Sequence, residues 1–264
     1  MLKQRIITAL LLAPFALLVI LWVPHPITMA VFGLLVLAGA WEWAAFVGLI
    51  SPLARLGYVV VIAGAIAGLW WTGPQRAQLD VVLYVAVGWW VIAAIWIALM
   101  PTYMNRFAAM LAGVLVLVPT WLALVRLHAL ASQLMLFLLL LVVAADVGAY
   151  FGGRKFGKHK LAPRVSPGKT WEGVYGGIVA ASLLALVGVF WFRFSAVTFV
   201  VLCTVVVIAS IVGDLTESLF KRHAGLKDSG NLLPGHGGVL DRVDSVTAAA
   251  PVFLLGLERL GLLS

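Results

Sequence analysis

The sequence predicts an all-α, polytopic integral membrane protein of about nine transmembrane helices, with its N-terminus in the cytoplasm. Three observations carry this. Of 264 residues, 64% are hydrophobic and only 11% charged, with a mean hydropathy of +1.12, too little charged surface to coat a water-soluble globule of this size. Apolar stretches recur at roughly 18–22 residues, the length that crosses ~30 Å of hydrocarbon at 1.5 Å per residue. Lys and Arg, finally, fall unevenly between alternate connections.

The elements follow in order. After MLKQR, the apolar run 6–23 resembles a signal peptide, but it is longer than a usual apolar core of one and no A-x-A site follows, so it reads as an uncleaved first span. Runs near 27–48, 54–72, 81–100 and 107–125 complete an N-terminal region, 1–130, of about five spans. Runs near 132–151, 173–192, 196–213 and 246–263 belong to a C-terminal region, 131–264, where the chemistry is expected. Pro251 and the Glu258/Arg259 pair interrupt the last run, so eight spans with a re-entrant end is the alternative. The 11 tryptophans read more simply as interfacial anchors than as a cofactor box.

With the N-terminus inside, cytoplasmic segments hold 14 of the 18 Lys and Arg residues; Arg76, Arg126, Arg193 and Arg259 are the 4 outside. This puts two polar loops, about 152–172 and 214–245, in the cytoplasm. The net charge of +8 is then assigned to anionic lipid headgroups, making membrane lipids and not nucleic acid the expected partners. Cys203, the single cysteine, lies in an apolar run, which excludes a disulfide framework and a thiolate metal site. Seven of the ten acidic residues lie between Asp146 and Asp244, so chemistry is expected at the cytoplasmic face.

The first loop holds Gly168, Lys169 and Thr170, the tail of a phosphate-binding P-loop. That motif needs G-x-x-x-x-G-K-[ST] after a strand, and the first glycine position here is Pro163. A second near-match, GGRKFGKH from Gly152, ends in His159, which lacks the hydroxyl that binds Mg²⁺. Neither is a P-loop. Phosphate binding still suits Arg154, Lys155, Lys158, Lys160, Arg164 and Lys169 beside Gly152, Gly153 and Gly157, although a basic loop touching lipid headgroups accounts better for any one of them taken singly. Lys169 and Thr170 stand apart, because they precede Trp171 and Glu172 at a helix N-terminus with its partial positive charge.

In the second loop, a helix continuing past the membrane would put Asp214, Glu217, Ser218 and Lys221 on one face at i, i+3, i+4 and i+7. Asp241 and Asp244 are likewise i, i+3 at the start of the last helix. Converging carboxylates need a cation, and hard oxygen ligands select Mg²⁺ or a similar ion; a solvated, salt-bridged loop is the competing reading. The turn PGHGG, Pro234 to Gly238, favours a ligand, since three glycines let backbone amides approach it. His236 suits a phosphate oxygen or a carboxylate better than zinc, which wants three or four N/S ligands. Inside the spans, Asp146 and Glu42 lie roughly 8–9 Å from the inner ends of their helices. Function is favoured for Asp146 and a snorkelling or helix-paired carboxylate for Glu42.

Ser218-Leu-Phe-Lys221-Arg222, Lys227-Asp228 and Pro234-Gly-His236-Gly237-Gly238-Val-Leu-Asp241-Arg242-Val-Asp244 together resemble the signature of the phosphatidate cytidylyltransferases (CDP-diacylglycerol synthases). DVGAYFGGRKFGK from Asp146 and SPGKTWEG from Ser166 are similar to that family's upstream motifs, with Gly168 where many members carry a second lysine. The resemblance implies conversion of CTP and phosphatidate to CDP-diacylglycerol and pyrophosphate by a homodimer in the bacterial inner membrane. It also implies Mg²⁺ and, beside it, a monovalent cation such as K⁺. By the same resemblance Asp214, Asp241 and Asp244 hold the metal with Ser218 near it, and Lys221 joins these aspartates in catalysis. Together with the loop reading, it gives as substrate contacts Asp146, Arg154, Lys158, Ser166, Lys169, Thr170, Arg222, Lys227, Asp228, His236, Gly237, Gly238 and Arg242. Two alternatives remain: a CTP-dependent polyprenol or phytol kinase, and a secondary transporter of an anionic solute, since intramembrane acids and Gly/Pro-broken helices also mark transporters.

Overall fold

A computed structural model describes residues 2–263 apart from 75, 100–104, 231, 233, 234 and 236, with side chains from residue 12 onward. The chain is built from α1 (Leu2–Leu21), α2 (His25–Phe46), α3 (Pro52–Thr72), α4 (Asp80–Leu99), α5 (Arg106–Leu130), α6 (Ser132–Phe156), β1 (Lys160–Ala162), β2 (Ser166–Thr170), α7 (Trp171–Phe192), α8 (Ala196–His223) and α9 (Leu240–Arg259). Each apolar run in the sequence corresponds to one helix. Helix starts follow local chemistry: Ser51 and Asn105 accept the Ala54 and Ala108 amides at 3.1 and 2.8 Å, and Pro52 occupies the first turn of α3.

This is a multi-pass membrane protein. Among the described residues, α2 to α8 are the seven helices long and apolar enough to cross a bilayer. The described side chains of α1 form a shorter apolar stretch, Leu12–Leu21, and α9 opens with Asp241, Arg242 and Asp244. The nine expected spans correspond to nine helices, of which seven have spanning length and hydropathy among the described residues. Outward faces expose Trp22, Leu34, Val60, Ile92, Leu183 and Phe190, as lipid contact requires.

The all-α class holds, and two details of the polar segments differ from expectation. The first segment is not plain loop, because β1 and β2 pair antiparallel, Lys160 opposite Thr170 and Ala162 opposite Ser166. The reason is local: Leu161 and Val165 flank the Pro163 turn and tuck into a small apolar cluster with Leu215 and Leu219 of α8, so the hairpin has a face to bury. The loops are also shorter than 152–172 and 214–245, since α6 runs on to Phe156 and α8 to His223. The polar residues there sit on helical extensions beyond the apolar runs.

Helices α6 and α7 pack through glycine. A Cβ on Gly148 would stand 2.5 Å from the Gly176 carbonyl oxygen, and one on Gly152 2.8 Å from that of Glu172, so the backbones approach as closely as small-residue interfaces in membranes permit. Helices α8 and α9 meet the same way, a Gly213 Cβ falling 2.6 Å from the Asp244 carbonyl oxygen. Helix α5 ties the two regions together: Trp43 Nε1 donates to Ala109 O (2.9 Å), Trp121 Nε1 to Met29 O (3.2 Å) and Thr120 Oγ1 to Thr247 O (3.1 Å). At the end of the bundle away from the hairpin, buried Arg126 donates to Pro74 O (2.6 Å) and Asp80 Oδ1 (2.7 Å), and Asp80 also pairs with Arg259.

Gly148→Ala is expected to lower the melting midpoint of the purified protein in detergent, by about 1–3 kcal/mol of overpacking. Gly64→Ala on α3, where an added Cβ meets nothing within 4 Å, is expected to cause no loss. Thermal unfolding of the two variants side by side checks both.

Candidate active site

Four elements converge at the hairpin end of the bundle. The last turns of α6 bring Asp146 and Tyr150, β2 brings Lys169 and Thr170, α8 brings Ser210 and Asp214, and α9 brings Ser245. Together they line a cavity of about 250 Å³. The Lys169 ammonium forms an ion pair with Asp214 Oδ2, and Ser218 Oγ lies 3.4 Å from Asp214 Oδ1. Thr170 caps α7, its hydroxyl accepting the Gly173 amide at 3.1 Å. A larger cavity, about 660 Å³, shares Leu161, Val174 and Ile211 with the first; Ile97, Ile178 and Ile208 line it and Arg164 stands in its wall.

The face predicted for α8 is present. Lys221 Nζ lies between Glu217 Oε1 (3.0 Å) and Asp241 Oδ1 (2.7 Å), all three side chains largely buried. Glu217 Oε1 is close to the ammonium without the angles of a hydrogen bond. Asp241 Oδ2 accepts the Ser229 amide (2.9 Å), the Ser229 hydroxyl (2.9 Å) and the Gly238 amide (2.8 Å). Burial works to raise the Asp241 carboxyl, but the Lys221 ammonium and the Gly238 and Ser229 amides outweigh it and hold the group below the usual carboxylate range. Asp244 is the opposite case. Burial first, and then the neighbouring Asp214 charge, push it up to about 7, while its Oδ1 accepts the Ser245 amide at 2.7 Å.

Five carboxylates, Asp146, Asp214, Glu217, Asp241 and Asp244, thus share this end with the ammonium groups of Lys169 and Lys221. A further cation would neutralise such a surplus. Asp214 and Asp244 lie where α8 and α9 cross at Gly213, and hard oxygen donors in that number suit Mg²⁺, which takes one or two carboxylates and completes its shell with water and phosphate. Among the described residues no three acidic, His or Cys side chains form a ready metal cluster, and both oxygens of Asp241 are already engaged.

The other sequence candidates are placed as follows. Arg154 is exposed and donates to the Tyr150 hydroxyl at 2.7 Å. Lys158 is exposed, its amide 3.1 Å from Glu172 Oε2. Ser166 lies in β2 opposite Ala162. Arg222, Lys227, Asp228 and Arg242 are exposed at the same end. Gly237 has φ +80°, and a Cβ there would stand 2.6 Å from Asp241 Oδ2. His236 lies outside the described residues.

Three residues absent from the sequence candidates take part in this network. Glu172 accepts the Lys158 and His159 amides and lies 2.7 Å from His159 Nδ1, tethering the hairpin to α7; an acid in a first helical turn is the signal that marks it. Glu42 does not snorkel but is helix-paired, the other reading its position allowed: its carboxylate accepts the Val239 amide (2.9 Å) and the Leu240 amide (2.8 Å) at the start of α9 and shares the Ser229 hydroxyl (2.9 Å) with Asp241. Ser229 carries no signal in the sequence.

The candidate site is thus a set of anionic and cationic side chains gathered at one end of an apolar helix bundle. Residues 3–259 match the model of the cytidylyltransferase family, and the chain belongs to that family. It is similar to the phosphatidate cytidylyltransferase of Pseudomonas aeruginosa, 46% identical over 276 residues covering 96% of each chain. The enzyme of that name from Haemophilus influenzae is 39% identical over 284 residues, 96% of this chain and 97% of the relative. That from Staphylococcus saprophyticus is 33% identical over 214 residues, 78% of each.

Lys221→Met leaves two buried carboxylates facing each other and is expected to cost about 3–5 kcal/mol of stability. Adding Glu217→Leu is expected to restore part of it. Melting midpoints of the single and double variants in detergent are the measurement.

Proposed function

We propose that the protein is a phosphatidate cytidylyltransferase, which joins CTP and phosphatidate into CDP-diacylglycerol and pyrophosphate at the cytoplasmic face of a bacterial inner membrane. The observation that carries the reading is the Lys169–Asp214 pair in a cavity that shares Leu161, Val174 and Ile211 with a larger, apolar-lined one. A charged headgroup beside acyl chains needs that adjacency. The family match and two relatives of that name across 96% of the chain support it. The cytoplasmic orientation is supported by the excess of Lys and Arg in segments on this side, including exposed Arg154, Lys155, Lys158 and Lys160.

The reaction is an in-line substitution at the α-phosphorus of CTP. A phosphatidate oxygen forms the new P–O bond, the bond to the β-phosphate breaks, and pyrophosphate leaves with its electron pair. A phosphate monoester has a second pKa of ~6, so the attacking group is mostly dianionic at neutral pH and needs no strong general base. What it needs is neutralisation and alignment, because it approaches a tetra-anion. Lys169 offers its ammonium to phosphate oxygens in the cavity, and Thr170 fixes the start of α7 beside it. Lys221, clamped by Asp241 and Glu217, contributes a fixed positive charge behind them. Asp214 and Asp244 would hold Mg²⁺, which when bound supplies charge neutralisation between the two polyanions.

Purified protein given labelled CTP, phosphatidate and Mg²⁺ is expected to release pyrophosphate; release of CDP instead would point to γ-phosphoryl transfer and overturn the reading. Asp244→Asn is expected to lower turnover by about 100-fold or more, roughly 3 kcal/mol of transition-state stabilisation.

The raised Asp244 carboxyl adds a pH dependence. With its pKa lifted to about 7, the metal-free folded state keeps a proton that the unfolded chain, titrating near ~4, gives up. Stability from this group is therefore present at low pH and lost as pH rises through about 7. Metal needs the ionised form. The increase in melting midpoint on adding Mg²⁺ is expected to be larger at pH 8 than at pH 6.

A further inference from the structure

Glu42 stands in the last turns of α2, only 3% exposed, about 190 residues before the groups it touches. Its carboxylate sits at the start of α9, where the first amides have no partner within the helix and the dipole is positive. A local Ser, Thr, Asp or Asn normally serves there, but the residue just before α9 is Val239, which offers no side-chain cap. Glu42 accepts the Val239 and Leu240 amides instead.

The space is built for this group. A Cβ on Gly230 would lie 2.7 Å from Glu42 Oε1, and one on Gly238 would lie 2.4 Å from Oε2 and 2.0 Å from Ser229 Oγ. Ser229 then joins two carboxylates: its hydroxyl oxygen is 2.9 Å from Glu42 Oε2 and 2.9 Å from Asp241 Oδ2. Asp241 Oδ2 rests on the Ser229 amide, the Ser229 hydroxyl and the Gly238 amide, all groups packed against Glu42, while Oδ1 meets Lys221. A displacement of the Glu42 carboxylate therefore passes through Ser229 and Gly238 to Asp241 and Lys221.

We propose that Glu42 is a positioning residue for the transfer reaction, acting through Ser229 to set the orientation of Asp241 and the Lys221 ammonium. This rests on the cytidylyltransferase reading. It makes α2 part of the machinery of the reaction.

The test uses the purified full chain with CTP, phosphatidate and Mg²⁺, comparing the unaltered protein with Glu42→Gln, Ser229→Ala and the double variant. Ser229→Ala removes the hydroxyl that bridges Glu42 and Asp241 while leaving Glu42 its bonds to the Val239 and Leu240 amides. It therefore carries the test even where Glu42→Gln does not fold. In each folded variant kcat is expected to fall by about tenfold or more while KM for CTP and for phosphatidate stays within about threefold. The double variant is expected to fall no further than the worse single, since both cut one chain of contacts. Unchanged kcat per folded molecule in Ser229→Ala, or losses that multiply in the double variant, would overturn the inference and leave the function standing. No pyrophosphate from the unaltered protein would overturn the function and the inference together.

Discussion

The structure depends on one constraint: carboxylates at the edge of a membrane-spanning bundle each need a partner. A charge there is costly to desolvate, and the cost is met by an opposite charge or by hydrogen-bond donors. Glu42 is held by backbone amides and a hydroxyl, Asp241 by an ammonium and three donors, Asp214 by Lys169, and Glu172 by the hairpin amides. These partnerships draw α2, α8, α9 and the hairpin to one place. Apolar packing alone would leave the helices free to slide, since lipid tails compete with apolar side chains on equal terms.

Glycine makes the arrangement compact enough to work. Gly148, Gly152 and Gly176 bring α6 and α7 into backbone contact, so Asp146 on one helix and Lys169 just before the other line the same cavity. Gly213 does this for α8 and α9, setting Asp214 close enough to Asp244 for one charge to raise the other carboxyl. Gly230 and Gly238 admit the Glu42 carboxylate. Contact between backbones here fixes the distance between charges.

The helices were legible because membrane insertion is written in local hydropathy, and every apolar run falls on a helix, although α8 runs on to His223 and α9 starts at Leu240, beyond the apolar runs themselves. The shared face of Asp214, Glu217 and Lys221 was legible for the same reason, being a matter of spacing along one helix. The hairpin was not, since its burial depends on Leu215 and Leu219, some fifty residues on. Nor was the part played by Glu42 and Ser229, whose bonds span distances that no periodicity encodes. The PGHGG glycines were read as room for a ligand, and the room at Gly238 is filled by a carboxylate of the protein itself.

The two Lys–Asp pairs differ in a way that bears on turnover. Lys169 and Asp214 are 28% and 26% exposed, whereas Lys221 and Asp241 are 11% and 8%. A partly solvated pair is worth about 1 kcal/mol or less, but breaking a buried one costs about 3–5 kcal/mol. Lys169 can therefore exchange Asp214 for a phosphate at little cost, and the exchange frees Asp214 to act as a ligand. Lys221 cannot leave Asp241 so cheaply, and Glu217 on its other side holds it further. In the proposed reaction the outer pair opens to each incoming polyanion while the inner pair stays closed and keeps the field of the site constant.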